Sequence, residues 1–249
     1  MSALQLEIAA NSVGSALAAQ AGGADRIELC ENLGEGGTTP SYGTLALVRE
    51  RLRIPVYVLV RPRGGDFRYD TVELEVMKRD IDTCARLGCD GVVIGALDAD
   101  GDVDATTCRE LITAAGNMSV TFHRAFDAAC NQAQALEDII ALGCHRVLTS
   151  GAAPSALEGV DTIAAHVRQA GERIGILVGA GVTAANLPTL VARSGAREFH
   201  GSARALRASA MRHRNEALQG LEPDWMQTDA DAVRALVAAL RPASAQGDA

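Results

Sequence analysis

Side chains able to move protons or hold anions are concentrated in a few short stretches of this sequence. Thr121-Phe122-His123-Arg124-Ala125-Phe126-Asp127 sets an imidazole, a guanidinium and a carboxylate in a run that otherwise reads as a short buried strand. His123 suits general acid or base work, because an unperturbed imidazole titrates near neutrality. Arg61-Pro62-Arg63-Gly64-Gly65-Asp66 makes a shaped cationic turn. Guanidinium groups grip carboxylates and phosphates through paired N–H donors, so Arg61 and Arg63 are candidate anion binders. The competing reading is a rigid loop whose arginines pair with Asp66 and nearby glutamates. Gly179-Ala180-Gly181-Val182-Thr183 and Gly201-Ser202-Ala203 are small-residue turns of the kind that bring backbone N–H groups close to a phosphate, although Thr183 can equally cap a helix.

These groups act together only if the fold gathers them, and the chain has the pattern of one that would. Short apolar runs alternate with longer amphipathic ones. Strands are expected at 4–10, 25–31, 55–62, 91–97, 119–126, 146–150, 174–178 and 197–200. Helices are expected at 13–21, 43–52, 71–87, 106–115, 131–142, 155–170, 184–194 and 229–240. Gly-Gly-Ala-Asp at 22–25, Gly-Cys-Asp at 88–90, Gly-Cys-His at 143–145 and Ser-Gly-Ala-Arg at 194–197 each fall between a helix and a strand. Glycine there supplies the left-handed cap that turns the chain back. Eight such units in 249 residues favour a single-domain α/β (β/α)8 TIM barrel over 1–241, with an open doubly wound sheet as the alternative. Residues 242–249 read as a disordered tail, and 205–227 as a decoration of the last unit.

Strand side chains alternate between two faces, and the face packed on the helices must be apolar. That rule sends Leu6, Ile8, Ile27, Leu29, Val56, Val58, Val60, Val120, Phe122, Leu148 and Phe199 outward. It sends Glu7, Glu28, Cys30, Arg61, Thr121, His123, Thr149, Glu198 and His200 toward the interior or mouth. Arg124 and Asp127 fall to the rim or outer face, pairing with each other. Three carboxylates, an arginine and two histidines inside a barrel are expensive to bury unless they pair. They are either a functional site or an internal salt-bridge network that sets the register.

Composition narrows the function classes. There are 23 Lys and Arg against 31 Asp and Glu, a net charge of −8, with no basic stripe for nucleic acid. No apolar run is long enough to span a membrane, and no leader-like segment opens the chain, so a soluble cytoplasmic protein is expected. Six cysteines, at 30, 84, 89, 108, 130 and 144, form no C-x-x-C pair and read as reduced thiols. The single lysine, Lys78, falls on a helix, which argues against imine chemistry. The glycine-rich loop at 31–41 lacks the Gly-Lys-Ser/Thr of a Walker motif.

Taken together, Ala24-Asp25-Arg26-Ile27-Glu28-Leu29-Cys30, Glu35-Gly36-Gly37-Thr38-Thr39-Pro40-Ser41 and Arg61-Pro62-Arg63-Gly64-Gly65-Asp66-Phe67 resemble the copper homeostasis protein CutC family. So do Thr121 to Asp127, Arg146-Val147-Leu148-Thr149-Ser150-Gly151 and Glu198-Phe199-His200. The resemblance runs from about Leu4 to Asn215. It implies a TIM barrel, a cytoplasmic location and a role in copper binding or homeostasis. The sequence departs from the family pattern at Ala180, where relatives often have glycine, and at Gly201, where some carry a cysteine.

Two functions follow as expectations. Copper, as ion and cofactor, would be held by Cys30, His123 and His200, a thin set for a soft ion. Alternatively, an enzyme would act on a small anionic metabolite, phosphorylated or carboxylated, by isomerisation, lyase chemistry or hydrolysis. Its catalytic groups would be His123, Glu28, Glu7 and His200. Its anion site would be Arg61, Arg63, Thr149, Gly179, Gly181 and Ser202. A homo-oligomer is expected from the habit of barrels to associate through their outer helices.

Overall fold

The computed structural model describes residues 3–215, 217 and 220–241. The tail expected at 242–249 lies outside the described residues. Eight parallel strands close into a barrel in chain order: β1 (Gln5–Ala10), β2 (Arg26–Leu29), β3 (Val56–Leu59), β4 (Gly91–Ile94), β5 (Ser119–Phe122), β6 (Arg146–Thr149), β7 (Gly175–Val178) and β8 (Glu198–Gly201). Pairing of β8 with β1, Phe199 opposite Leu6, completes the ring.

The outer helices are α1 (Val13–Gly22), α2 (Tyr42–Arg51), α3 (Thr71–Arg86), α4 (Ala105–Ala115), α5 (Gln132–Ala141), α6 (Val160–Ala170), α7 (Leu187–Ser194) and α8 (Ala230–Leu240). Short polar side chains start them. Ser12, Ser41, Asp104, Asn131 and Asp229 each accept a backbone N–H of the first turn, and Asp70 with Glu73 forms a reciprocal capping box. The expected glycine joints are present, as at Gly23 and Gly143, with φ of 90° and 83°. Helix α6 begins later than expected. Gly159 packs against the backbone of Ser150 and holds 155–159 as a turn. The 205–227 decoration contains a hairpin of β9 (Arg204–Arg207) and β10 (Trp225–Thr228). Among the described residues, no helix is long and apolar enough to cross a membrane.

Two apolar regions form. The larger lies between strands and helices and takes Leu6, Ile8, Ile27, Leu29, Val56, Val58, Val60, Val120, Phe122 and Phe199, all as the alternation requires. The smaller lies inside the barrel and groups Ala9, Cys30, Tyr57, Leu59 and Val93, with Leu33 packed against it. Below it the interior is ionic. Arg26, buried on β2, donates to Glu7 at 2.5 Å, to Glu198 at 2.6 Å and to Gln5 at 2.7 Å. Arg146 donates to Glu198 at 2.7 Å and to the Tyr57 hydroxyl at 3.2 Å. Both guanidinium groups lie against the Tyr57 ring, 5.5 and 5.2 Å from its centroid. Gly91 makes room for that ring, since a Cβ there would sit 2.4 Å from it.

Strand β6 corrects the expected parity. Val147 belongs to the helix-side core, so Arg146 and Leu148 face the interior and Thr149 does not. A polar residue beside an apolar one left the register open, and Val147 settles it by filling the outer core. Strand β5 also ends early, at Phe122. A 3-10 turn at Arg124–Ala128 follows, with His123 as its cap.

Arg26→Met should destabilise the fold by about 3–5 kcal/mol, because it strands the buried Glu7 without a guanidinium and leaves Glu198 with Arg146 alone. Urea unfolding at neutral pH measures it. A loss below about 1 kcal/mol would show that the base network is not structural.

Candidate active site at the barrel mouth

Above the ionic base, a cavity of about 920 Å³ opens at the C-terminal ends of the strands, the face where barrels of this kind place their sites. Its floor is built from Glu7 upward. Burial alone would raise the Glu7 pKa, but the charge of Arg26 and the hydrogen bond from His200 outweigh it and hold it at about 2. An ionised Glu7 can only accept, so His200 donates its Nδ1–H to Glu7 Oε1 across 2.8 Å. Burial opposes the imidazolium of His200, yet Glu28 and then Glu7 outweigh it and raise its pKa. The ring lines the cavity beside Glu28.

Glu28 has no guanidinium of its own. Its Oε2 is buried and makes no hydrogen bond. Burial pushes its pKa up, the more so because Glu7 is ionised nearby, and His200 brings it back only to about 7. A carboxyl poised at neutrality can both take and return a proton.

The cavity lining also carries His123. The backbone N–H of Ala125 donates to its Nδ1 at 3.1 Å, and Nε2 is buried without a partner. Burial, and next the charge of Arg61, push its pKa down to about 3. The ring is therefore neutral across the physiological range. The Phe67 ring lies 5.1 Å away from it, and the Arg61 guanidinium 5.0 Å from Phe67.

Arg61 is spent mostly on backbone. It donates to the carbonyls of Glu35, Gly37 and Gly65 at 2.7–2.9 Å and so ties the loop after β2 to the loop after β3. It lines the cavity; Arg63 does not. Arg63 is held by Glu73 and Asp66 and by the carbonyl of Arg68. Thr149 also lies off the cavity, where it donates to Asp127 at 2.6 Å. Asp127 is not confined to the outer rim with Arg124. It pairs with Arg124 at 2.7 Å, but its carboxylate also takes the N–H groups of Ser150 and Ala152 and so braces the end of β6. Gly181 and Ser202 line the cavity and Gly179 does not. Ala180 lies between these glycines at φ 77°, a left-handed conformation costly for a residue with a Cβ.

The comparisons with known proteins agree with one another. Residues 4–205 match the CutC family. The chain belongs to the CutC family. A Xanthomonas campestris pv. campestris (strain B100) relative, named as a family protein CutC, is 61% identical over 238 residues, covering 96% of this chain and 99% of its own. The human copper homeostasis protein cutC homolog is 49% identical over 213 residues, covering 86% of this chain and 78% of its own. The crystal structure of CutC from Streptococcus agalactiae matches with a TM-score of 0.77 at 34% identity, over 80% of this chain and 98% of its own.

For this CutC-family chain, the structure does not gather Cys30, His123 and His200 into one donor set. Among the described residues, the His, Cys, Asp and Glu atoms found in a group within 4.8 Å of one another are those of Glu7, Glu28 and His200. Two carboxylates and an imidazole are not the soft donors that Cu(I) prefers. The Cys30 thiol turns to the Ala10 carbonyl at 3.8 Å, and burial raises its pKa well above the usual range, so it is a thiol rather than a thiolate. The residues present do not fit Cu(I) at the mouth.

Alternation applied one step earlier on β2 would have found Arg26, two residues before Glu28. Arg146 was hidden by the parity of β6. Arg204, which lines the cavity from the segment after β8, carried no sequence signal.

Glu28→Gln tests the floor through stability. A carboxyl whose pKa is raised on folding destabilises the fold progressively as pH rises from its unfolded value near 4.5 to about 7. The variant should match wild type near pH 4 and exceed it at pH 8, by on the order of 1–3 kcal/mol. Denaturant midpoints across that range measure the crossover. Equal stability of the two proteins at pH 8 would contradict the raised pKa.

Proposed function

We propose that this chain serves copper homeostasis, the role for which its human and streptococcal relatives are named. We place its part in that role in acid–base chemistry on a small anionic metabolite at the barrel mouth. The observation that carries the reading is Glu28, a buried carboxyl with a free Oε2, poised near pH 7 and lining a cavity large enough for a metabolite. His200, oriented by Glu7, is the second proton carrier. Arg124 and Arg204 at the rim, with the turns at Gly181 and Ser202, supply the positive end that an anion needs.

Copper as a bound ion, through Cys30, His123 and His200, is the less favoured reading, since the thiol is protonated and the donors are apart. A cytoplasmic setting is supported by the cysteines, all of which are free thiols. For a homo-oligomer, the exposed Leu206, Trp225 and Met226 of the β9–β10 hairpin are the apolar surface on offer.

Calorimetric titration of a panel of small carboxylates and sugar phosphates should find a ligand whose affinity falls at least about tenfold in Arg204→Ala, a loss of about 1.4 kcal/mol. Cu(I) competition against a chromogenic chelator should show no stoichiometric ion that depends on Cys30. A Cu(I) ion lost on Cys30→Ser, with no metabolite bound, would overturn the reading in favour of copper binding.

A further inference from the structure

The tautomer of His123 determines what it can do. A backbone N–H can only donate, so the 3.1 Å contact from Ala125 requires a lone pair on Nδ1. A neutral imidazole has one ring proton, which must then be on Nε2. The turn at Arg124–Ala128 fixes the donor, and Gly95 leaves just enough space for the ring. A Cβ at Gly95 would lie 2.6 Å from His123 Cε1 and Nδ1. Phe67 stands on another side. His123 is therefore a fixed neutral donor, not the general acid or base that its type suggests.

His123 is part of the cavity lining, and its Nε2–H is buried and unpartnered. A buried donor without an acceptor is costly, and a ligand oxygen would complete it. Glu28 lines the same cavity from β2, and its Oε2 is likewise buried without a partner. A carboxylate base and a neutral imidazole donor facing one space are the two groups needed to remove a proton next to a carbonyl. Neither Cys30 nor Lys78 offers a covalent alternative. Cys30 is turned away to Ala10, and Lys78 pairs with Glu110 on the outer helices.

We propose that the mouth enolises a small carbonyl compound, with Glu28 as the base and His123 Nε2–H as the donor to the carbonyl oxygen. The inference rests on the acid–base reading above and names its substrate class: an anionic aldehyde, ketone or keto acid bearing a C–H beside the carbonyl. Glu28 takes the proton from that carbon. The C–H electron pair becomes the new C=C bond, and the carbonyl π pair moves to oxygen. His123 Nε2–H holds the resulting oxyanion, in the field of the nearby Arg61 charge. Glu28 then returns the proton to carbon and the carbonyl reforms. No oxidant, reductant or second substrate enters the balance.

The test follows α-proton exchange in D2O by NMR with the full chain and five probes: glycolaldehyde, glycolaldehyde phosphate, dihydroxyacetone, dihydroxyacetone phosphate and pyruvate. At least one should lose its α-proton signal faster than in buffer. Glu28→Gln and His123→Ala should each slow that exchange about 100-fold. His123→Gln, which keeps a neutral N–H donor, should recover part of the loss. Nitrogen-15 NMR of the unliganded protein should show His123 as the neutral Nε2–H form between pH 5 and 9. A proton on Nδ1, or a probe that binds calorimetrically without α-exchange, overturns the enolisation and leaves metabolite binding standing. Failure of every probe to bind overturns both readings.

Discussion

The ion pairs of Arg26 set the interior of this barrel. One buried guanidinium reaches Glu7 on β1 and Glu198 on β8, and Arg146 meets Glu198 from the other side. Two positive and two negative groups thus neutralise one another at the base. The consequences run upward. Because Arg26 keeps Glu7 ionised, His200 must turn its Nδ1–H downward. Because Arg26 and Arg146 are committed below, Glu28 is left without a guanidinium partner; burial raises its pKa and His200 brings it back only to about 7. A network built for charge balance in the base thereby creates an unbalanced, proton-exchanging carboxyl one level higher.

The upper rim follows a different logic, that of backbone hydrogen bonds. Arg61 is held by three carbonyls and joins two loops, and Asp127 collects the N–H groups at the end of β6. Both look like ligand-binding residues by type, and both are used to shape the cavity. His123 belongs to the same class, since one backbone N–H decides its protonation. Glu28 Oε2 and His123 Nε2 are left buried without partners, on residues that line the cavity from β2 and from just after β5.

Much of this was legible from the chain. The eight units, the glycine joints and the inward placement of Glu7, Glu28, His123, Glu198 and His200 follow from alternation and capping, which are local. The set Cys30, His123 and His200 looked like a donor group because all three share the inner face. Sharing a face does not put donor atoms in reach of one another. Arg63 and Arg61 looked alike in one motif, yet Arg63 finds Glu73 on α3 and Arg61 finds carbonyls. Nothing in a six-residue turn distinguishes those partners.

The sequence by itself determined the barrel and which charged side chains point into it, because a period of two and a helix stop signal need only neighbours along the chain. The tertiary structure decided their chemical states. Whether a buried carboxyl is ionised depends on which cation lies beside it from another strand. Whether an imidazole donates or accepts depends on a single N–H brought to one of its nitrogens. Electrostatic energy in a low-dielectric interior changes steeply over a few ångströms, and such distances exist only once the barrel has closed.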